Sequence, residues 1–193
     1  MTPEQLAHPA LRGIHGDIEV TSSYILPNRQ LTTTEREAWI ADYFAMGGPT
    51  QGELDFIRLL NEYRVGTHNL TALQMCYSMM MAARLYTQYR ADVRVRGYTF
   101  DGGHRGGPYG GGRIMARDHF GFNTGNSTSG MGAPGAGILM NWQRSQAHHM
   151  SLIGRAITHV GIGSFPGGET YAFYINNNDS FQRTAPCPWD CCN

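Results

Sequence analysis

The sequence predicts an α+β protein in which helices pack against an antiparallel sheet. Three observations carry this. Two Thr-x-x-Glu capping boxes, Thr34-x-x-Glu37 and Thr50-x-x-Glu53, each precede an apolar stripe at helical spacing. A later helix carries Ile138, Leu139 and Trp142 on one side. Near the C-terminal end, Val160 and Ile162 alternate, as do Tyr171, Phe173 and Ile175, and Pro166-Gly167-Gly168 joins the two runs as a hairpin.

The chain has 193 residues, enough for one domain with a real core, since ordinary domains run roughly 100–200 residues. Hydrophobic residues make up 41%, which argues against a disordered chain. The 15 basic residues balance the 15 acidic ones, which argues against a nucleic-acid binder. Every basic residue is arginine, a bias that genome composition explains most simply. No run approaches the roughly 18 apolar residues that span a membrane. Met1 to Ile25 lacks the basic start and apolar run of a signal peptide.

Taken in order, residues 1–31 read as an extension that wraps a domain or reaches a neighbour. The first box starts a helix bearing Trp39, Ile40 and Phe44, which Gly47-Gly48-Pro49 stops. The second starts a helix with Phe56, Leu59, Leu60 and Tyr63 on one face, ended by Gly66. A third follows Asn69-Leu-Thr71, with Leu73, Tyr77, Met80 and Arg84 on one stripe and Met79-Met80-Met81 as core. From Gly102 to Gly137 lie 13 of the 25 glycines. This stretch reads as a long surface loop with one strand, Arg113 to Asp118. It has no Gly-Lys-Ser/Thr ending and so is not a phosphate loop. Pro134 then occupies the first turn of the helix bearing Trp142.

The four cysteines are Cys76, Cys187, Cys191 and Cys192. An even count with three in the tail fits two disulfides in an oxidising compartment, with three pairings open. Cys187-x-x-x-Cys191 is a poor zinc signature without a second ligand pair.

Several motifs in order resemble the CAP superfamily, the SCP-like domain of cysteine-rich secretory, antigen 5 and pathogenesis-related proteins, in its bacterial form. They are Leu60-Asn61-x-x-Arg64, Met81-Ala-Ala-Arg84 through Gly103-His104, and Arg117-Asp-His-Phe-Gly121-Phe122. Trp142-x-x-Ser145-x-x-His148 and Val160-Gly-Ile-Gly163 complete the series. The resemblance covers about residues 52–176. It implies an α-β-α sandwich, usually secreted, whose cleft holds two histidines and two acids. The chain then divides into an extension with one helix (1–48), the CAP-like domain (49–178) and a cysteine-rich tail (179–193).

His104 and His148 match the two histidines, and the resemblance places the cleft on them with Asn126 and Ser145. Two neutral imidazoles suit a Zn²⁺-like ion, the one cofactor the chain suggests. The acids are missing. No glutamate lies between Glu62 and Glu169, and Gly125-Asn126-Ser127 stands where the family has Glu-Asn. Without a carboxylate base, hydrolysis lacks its usual engine. The expectation is a secreted, non-enzymatic protein whose degenerate cleft binds a small ligand or metal and which has no catalytic residues. Two alternatives stand beside it. One is a self-assembling extracellular or filament subunit, a homo-oligomer joined through the extension and tail. The other is a hydrolase using His148 with Asp118 or Asp101. His149 is expected to face solvent, about 100° round the helix from His148. His119 and His159 are expected to be packing groups, and Cys76 a core residue rather than a nucleophile.

Overall fold

A computed structural model describes residues 29–45, 47–95, 100–101, 105–106, 111–121, 126–164 and 169–176. His104, the Pro166-Gly167-Gly168 turn, Cys187, Cys191, Cys192 and residues 1–28 of the extension lie outside them. The elements run α1 (Thr33–Ala45), α2 (Gln51–His68), β1 (Gln74–Met75), α3 (Tyr77–Val95), β2 (Phe100–Asp101), β3 (Arg105–Gly106) and α4 (Gly112–Phe120). They continue with β4 (Asn126–Met131), α5 (Ala136–Arg144), α6 (Gln146–Leu152), β5 (Ile157–Ser164) and β6 (Glu169–Asn176).

The main sheet has the order β1-β5-β6-β4. β6 lies antiparallel between β5 and β4. β1 adds to β5 in parallel, with Gln74 opposite His159, so the sheet is mixed rather than purely antiparallel. Residues directly opposite each other share a face. Gly161 and Ser127 therefore lie on one face with Gly163, Tyr171 and Ser129. Gly130 and Thr170 lie on the other.

Helix α3 covers the first face. A Cβ at Gly161 would land on Met79, and one at Gly163 on the Arg84 backbone, so the helix backbone rests directly on β5. Met79 and Met80 are fully buried there, as core residues. The other face carries α5. A Cβ at Gly130 would lie 2.7 Å from the Trp142 indole nitrogen. Trp142 in turn meets Phe56 of α2 edge to face at 5.3 Å. The result is the expected helix–sheet–helix sandwich. Leu31, Ile40 and Tyr43, from α1 and the segment before it, join the same core cluster.

Local chemistry explains the element ends. The second capping box forms as read: Thr50 Oγ1 accepts from the Glu53 N–H, and Glu53 accepts from the Thr50 N–H at 2.8 Å. The first is shifted by two residues. Thr32, not Thr34, caps α1, exchanging hydrogen bonds with Glu35 rather than Glu37. Three consecutive threonines and two nearby glutamates offered several registers, and Arg29 selects Glu35 by pairing with it at 2.7 Å. That guanidinium, helped by the Thr32 N–H, lowers the Glu35 carboxyl to about 2.

Helix α2 does not stop at Gly66. It runs to His68 and ends where Asn69 adopts φ 52°, its N–H bonded to the Arg64 carbonyl. The third helix starts only at Tyr77, because residues 74–75 are claimed by β5. Leu73 is buried before the helix begins, and the Asn61 carboxamide pins its backbone with two bonds of 2.8 and 2.9 Å. Arg64 is buried and donates to the carbonyls of Thr71, Leu152 and Gly154. The Leu-Asn-x-x-Arg motif is thus a structural clamp between α2, the β1 approach and the end of α6.

Residues 113–118 are helix, not strand. Met115, Ala116, His119 and Phe120 are buried, which is helical spacing, and Gly111 and Gly121 bound the helix with positive φ. Pro134 precedes α5 rather than entering it, since α5 begins after Gly135.

Candidate functional site

The Trp142–Ser145–His148 motif does not lie on one continuous helix. Ser145 has extended backbone (φ −96°, ψ 116°) and separates α5 from α6. Its carbonyl accepts from the His149 N–H at 2.7 Å, and its own N–H bonds the Trp142 carbonyl at 3.3 Å. The corner nonetheless keeps tryptophan and histidine together, with ring centroids 6.0 Å apart. Trp142 is buried under the sheet, while His148 is half-buried. Burial lowers the His148 pKa from its ordinary value, which favours the neutral imidazole, the form that ligates and accepts hydrogen bonds.

Asn126 opens β4, and α6 packs against that strand. Its side-chain oxygen is taken up locally, accepting from the Ser127 N–H at 2.8 Å. Asn126 and Ser145 are both half-buried. His148, Ser145 and Asn126 thus occupy the α5–α6 corner and the start of the strand beside it. The place of His104, between β2 and β3 in sequence, lies outside the described residues. Among the described residues, no group of three or more His, Cys, Asp or Glu gathers in a metal-binding cluster. His148 therefore finds no such donor set there.

The acids are held elsewhere. Glu53 is a fully buried carboxylate. It caps α2, binds the buried Arg84 guanidinium through both oxygens, and accepts from the Ser164 N–H at 3.1 Å. Arg84 also donates to the Gly48 carbonyl at 2.9 Å and lies 4.6 Å over the Tyr43 ring. Asp118 is exposed on α4 and pairs with Arg117 at 2.6 Å, a bond that lowers its pKa. The Asp101 side chain is not among those described.

His149 is not a solvent-facing residue. Its Nε2 lies 2.8 Å from the Tyr63 hydroxyl, and its ring centroid is 5.5 Å from that of His68. Tyr63 and His68 meet edge to face at 4.7 Å. This group and the Glu53–Arg84 pair are long-range assemblies with no local sequence signal. His119 is buried in α4, and His159 lies in β5 with its Nδ1 against the Thr158 hydroxyl. Both are packing groups, as read. Cys76 is fully buried before α3.

No protein-family model and no curated protein matches the sequence. Solved structures do. An extracellular protein containing an SCP domain from Bacillus anthracis shares 19% identity at a TM-score of 0.49, covering 65% of this chain and 40% of that one. A cysteine-rich secretory protein from Staphylococcus aureus shares 13% at 0.45, covering 67% and 41%. An outer surface protein from Borrelia burgdorferi shares 16% at 0.46, covering 67% and 96%. The chain spans about two fifths of the length of the first two. In motif order and in helix–sheet layout, the chain is similar to the bacterial SCP/CAP-domain proteins.

Proposed function

We propose that this chain is an extracellular, non-enzymatic SCP/CAP-like binding domain whose site is the His148 face of the α5–α6 corner. It takes a small ligand, or a Zn²⁺-like ion if His104 completes the donor set. One observation carries the reading. A half-buried imidazole favoured in its neutral form stands beside Trp142, while the buried Glu53 carboxylate is consumed by Arg84 and two backbone N–H groups. That combination can ligate or accept a hydrogen bond, and Glu53 is not free to serve as a base for hydrolysis. The extracellular assignment is supported by the three similar proteins, an extracellular, a secretory and an outer surface protein. No helix among the described residues is long and apolar enough to cross a membrane.

Calorimetric titration of Zn²⁺ into metal-stripped protein tests the site. The expected result is saturable binding of which one site disappears in His148→Ala. Binding unchanged by that substitution would overturn the assignment of His148. Ester or peptide turnover lost in His148→Ala would overturn the non-enzymatic reading. The pH dependence has a definite sign. Burial lowers the folded-state pKa of His148 below 6.5, so the neutral ring persists under mildly acidic conditions. Binding at His148 should therefore survive as pH falls through 6.5 and weaken only below it. The stability contributed by the neutral ring is present above 6.5 and is lost as pH falls through the lower, folded value.

The tail is proposed to be fastened to this domain through Cys76. Its side chain is fully buried, and the three remaining cysteines all lie in the last seven residues. Non-reducing peptide mapping should recover a Cys76 peptide linked to one from residues 179–193. A Cys76 peptide that alkylates without reduction would refute this.

A further inference from the structure

The second histidine of α6 belongs to a separate group. His148 turns toward Trp142, whereas His149 turns toward α2, where Tyr63 and His68 meet it. His68 is the last residue of α2, and its Nε2 is sealed from solvent with no hydrogen-bond partner. A buried imidazole nitrogen without a partner is costly. The group is incomplete as it stands.

We propose that His68 and His149 form a binding site for a divalent transition-metal ion of the Zn²⁺ class, with Tyr63 as the residue that orients His149. Two imidazole nitrogens each about 2.1 Å from a tetrahedral ion place their ring centroids roughly 5 Å apart. The observed separation is 5.5 Å, so the rings need little movement to share an ion. The Tyr63 hydroxyl holds Nε2 of His149 and leaves the other ring nitrogen for the ion. Both histidines lie in the last turns of their helices, α2 and α6, where the helix dipole favours positive charge. No third His, Cys, Asp or Glu among the described residues joins them in a cluster. Water or an incoming donor completes the coordination, and the site is open rather than a closed structural one. An ion here would tie the end of α2 to α6 beside the Arg64 clamp.

The site is independent of the reading proposed for His148, and the experiment keeps the two apart by using His148→Ala protein as the starting point. Zn²⁺ is titrated by calorimetry into this metal-stripped full chain, with Mg²⁺ as the control ion. One saturable Zn²⁺ site and no Mg²⁺ binding is the expected result. Adding His68→Gln or His149→Gln should each abolish it, and Tyr63→Phe should weaken it by about tenfold through loss of orientation. Circular dichroism melts without metal establish that each variant is folded. A Zn²⁺-dependent rise in melting temperature should appear only where both histidines remain. No Zn²⁺ binding in the His148→Ala chain, or binding undiminished by either histidine substitution in folded protein, would overturn the proposal.

Discussion

Glu53→Gln is expected to destabilise the protein by about 3–5 kcal/mol, because it strands a buried arginine. Glutamine preserves the size of the side chain but keeps one acceptor oxygen, so it accepts from one of the Thr50 and Ser164 N–H groups, which the two oxygens of Glu53 serve separately. It removes the charge that offsets Arg84, which is 4% exposed. The Tyr43 ring and the Gly48 carbonyl stay in place but do not neutralise a guanidinium. Urea unfolding at neutral pH measures the effect. The double variant Glu53→Gln, Arg84→Met should recover a large part of the loss, since the stranded charge is then gone. A single variant within about 1 kcal/mol of wild type would show that water or another anion reaches Arg84 and that the pair is not sealed.

Gly163→Ala is expected to cost about 3 kcal/mol or more, because its methyl group has nowhere to go. The added Cβ would overlap the Arg84 backbone nitrogen and lie 2.5 Å from its Cα and 2.6 Å from the Ala83 carbonyl carbon. Backbone cannot rotate aside as a side chain can, so α3 would have to lift off β5. Because Arg84 starts from that same stretch of helix, the Glu53 contact should loosen with it. Gly137→Ala is the matched control. It lies in α5 with no atom within 4 Å of its new Cβ, and should stabilise by about 1 kcal/mol through helix propensity. Thermal melts of the two variants against wild type give the comparison. Equal melting temperatures would mean that the sheet–helix contact at Gly163 is looser than described.

These two sites show where local sequence was sufficient and where it was not. The Thr50–Glu53 box, the buried side of α5 and the β5–β6 pair were legible because each rests on residues a few positions apart. The threonine run before α1 was ambiguous for the same reason. Local spacing allowed more than one cap, and Arg29 decided among them. Helix α4 was misread because its glycine-rich surroundings suggest a loop, and its buried residues register only once α3 and the sheet lie against them. β4 gave no signal either. Its Ser127, Thr128 and Ser129 are buried polar residues without apolar alternation, and pairing to β6 makes the strand.

The candidate site divides in the same way. Trp142, Ser145 and His148 were recognisable as a motif, and the absence of glutamate between Glu62 and Glu169 was plain from the chain itself. The partners of those residues were not. Glu53 meets Arg84 across 31 positions, and Tyr63 meets His149 across 86. The sequence by itself determined the Thr50–Glu53 cap, the buried side of α5, the β5–β6 pair and the absence of glutamate between Glu62 and Glu169, because these depend on residue type and near-neighbour spacing. Only the tertiary structure decided which acid is consumed, why Gly161 and Gly163 must be glycine, and that two adjacent histidines face different partners. Those outcomes depend on which distant surfaces the buried sheet brings together.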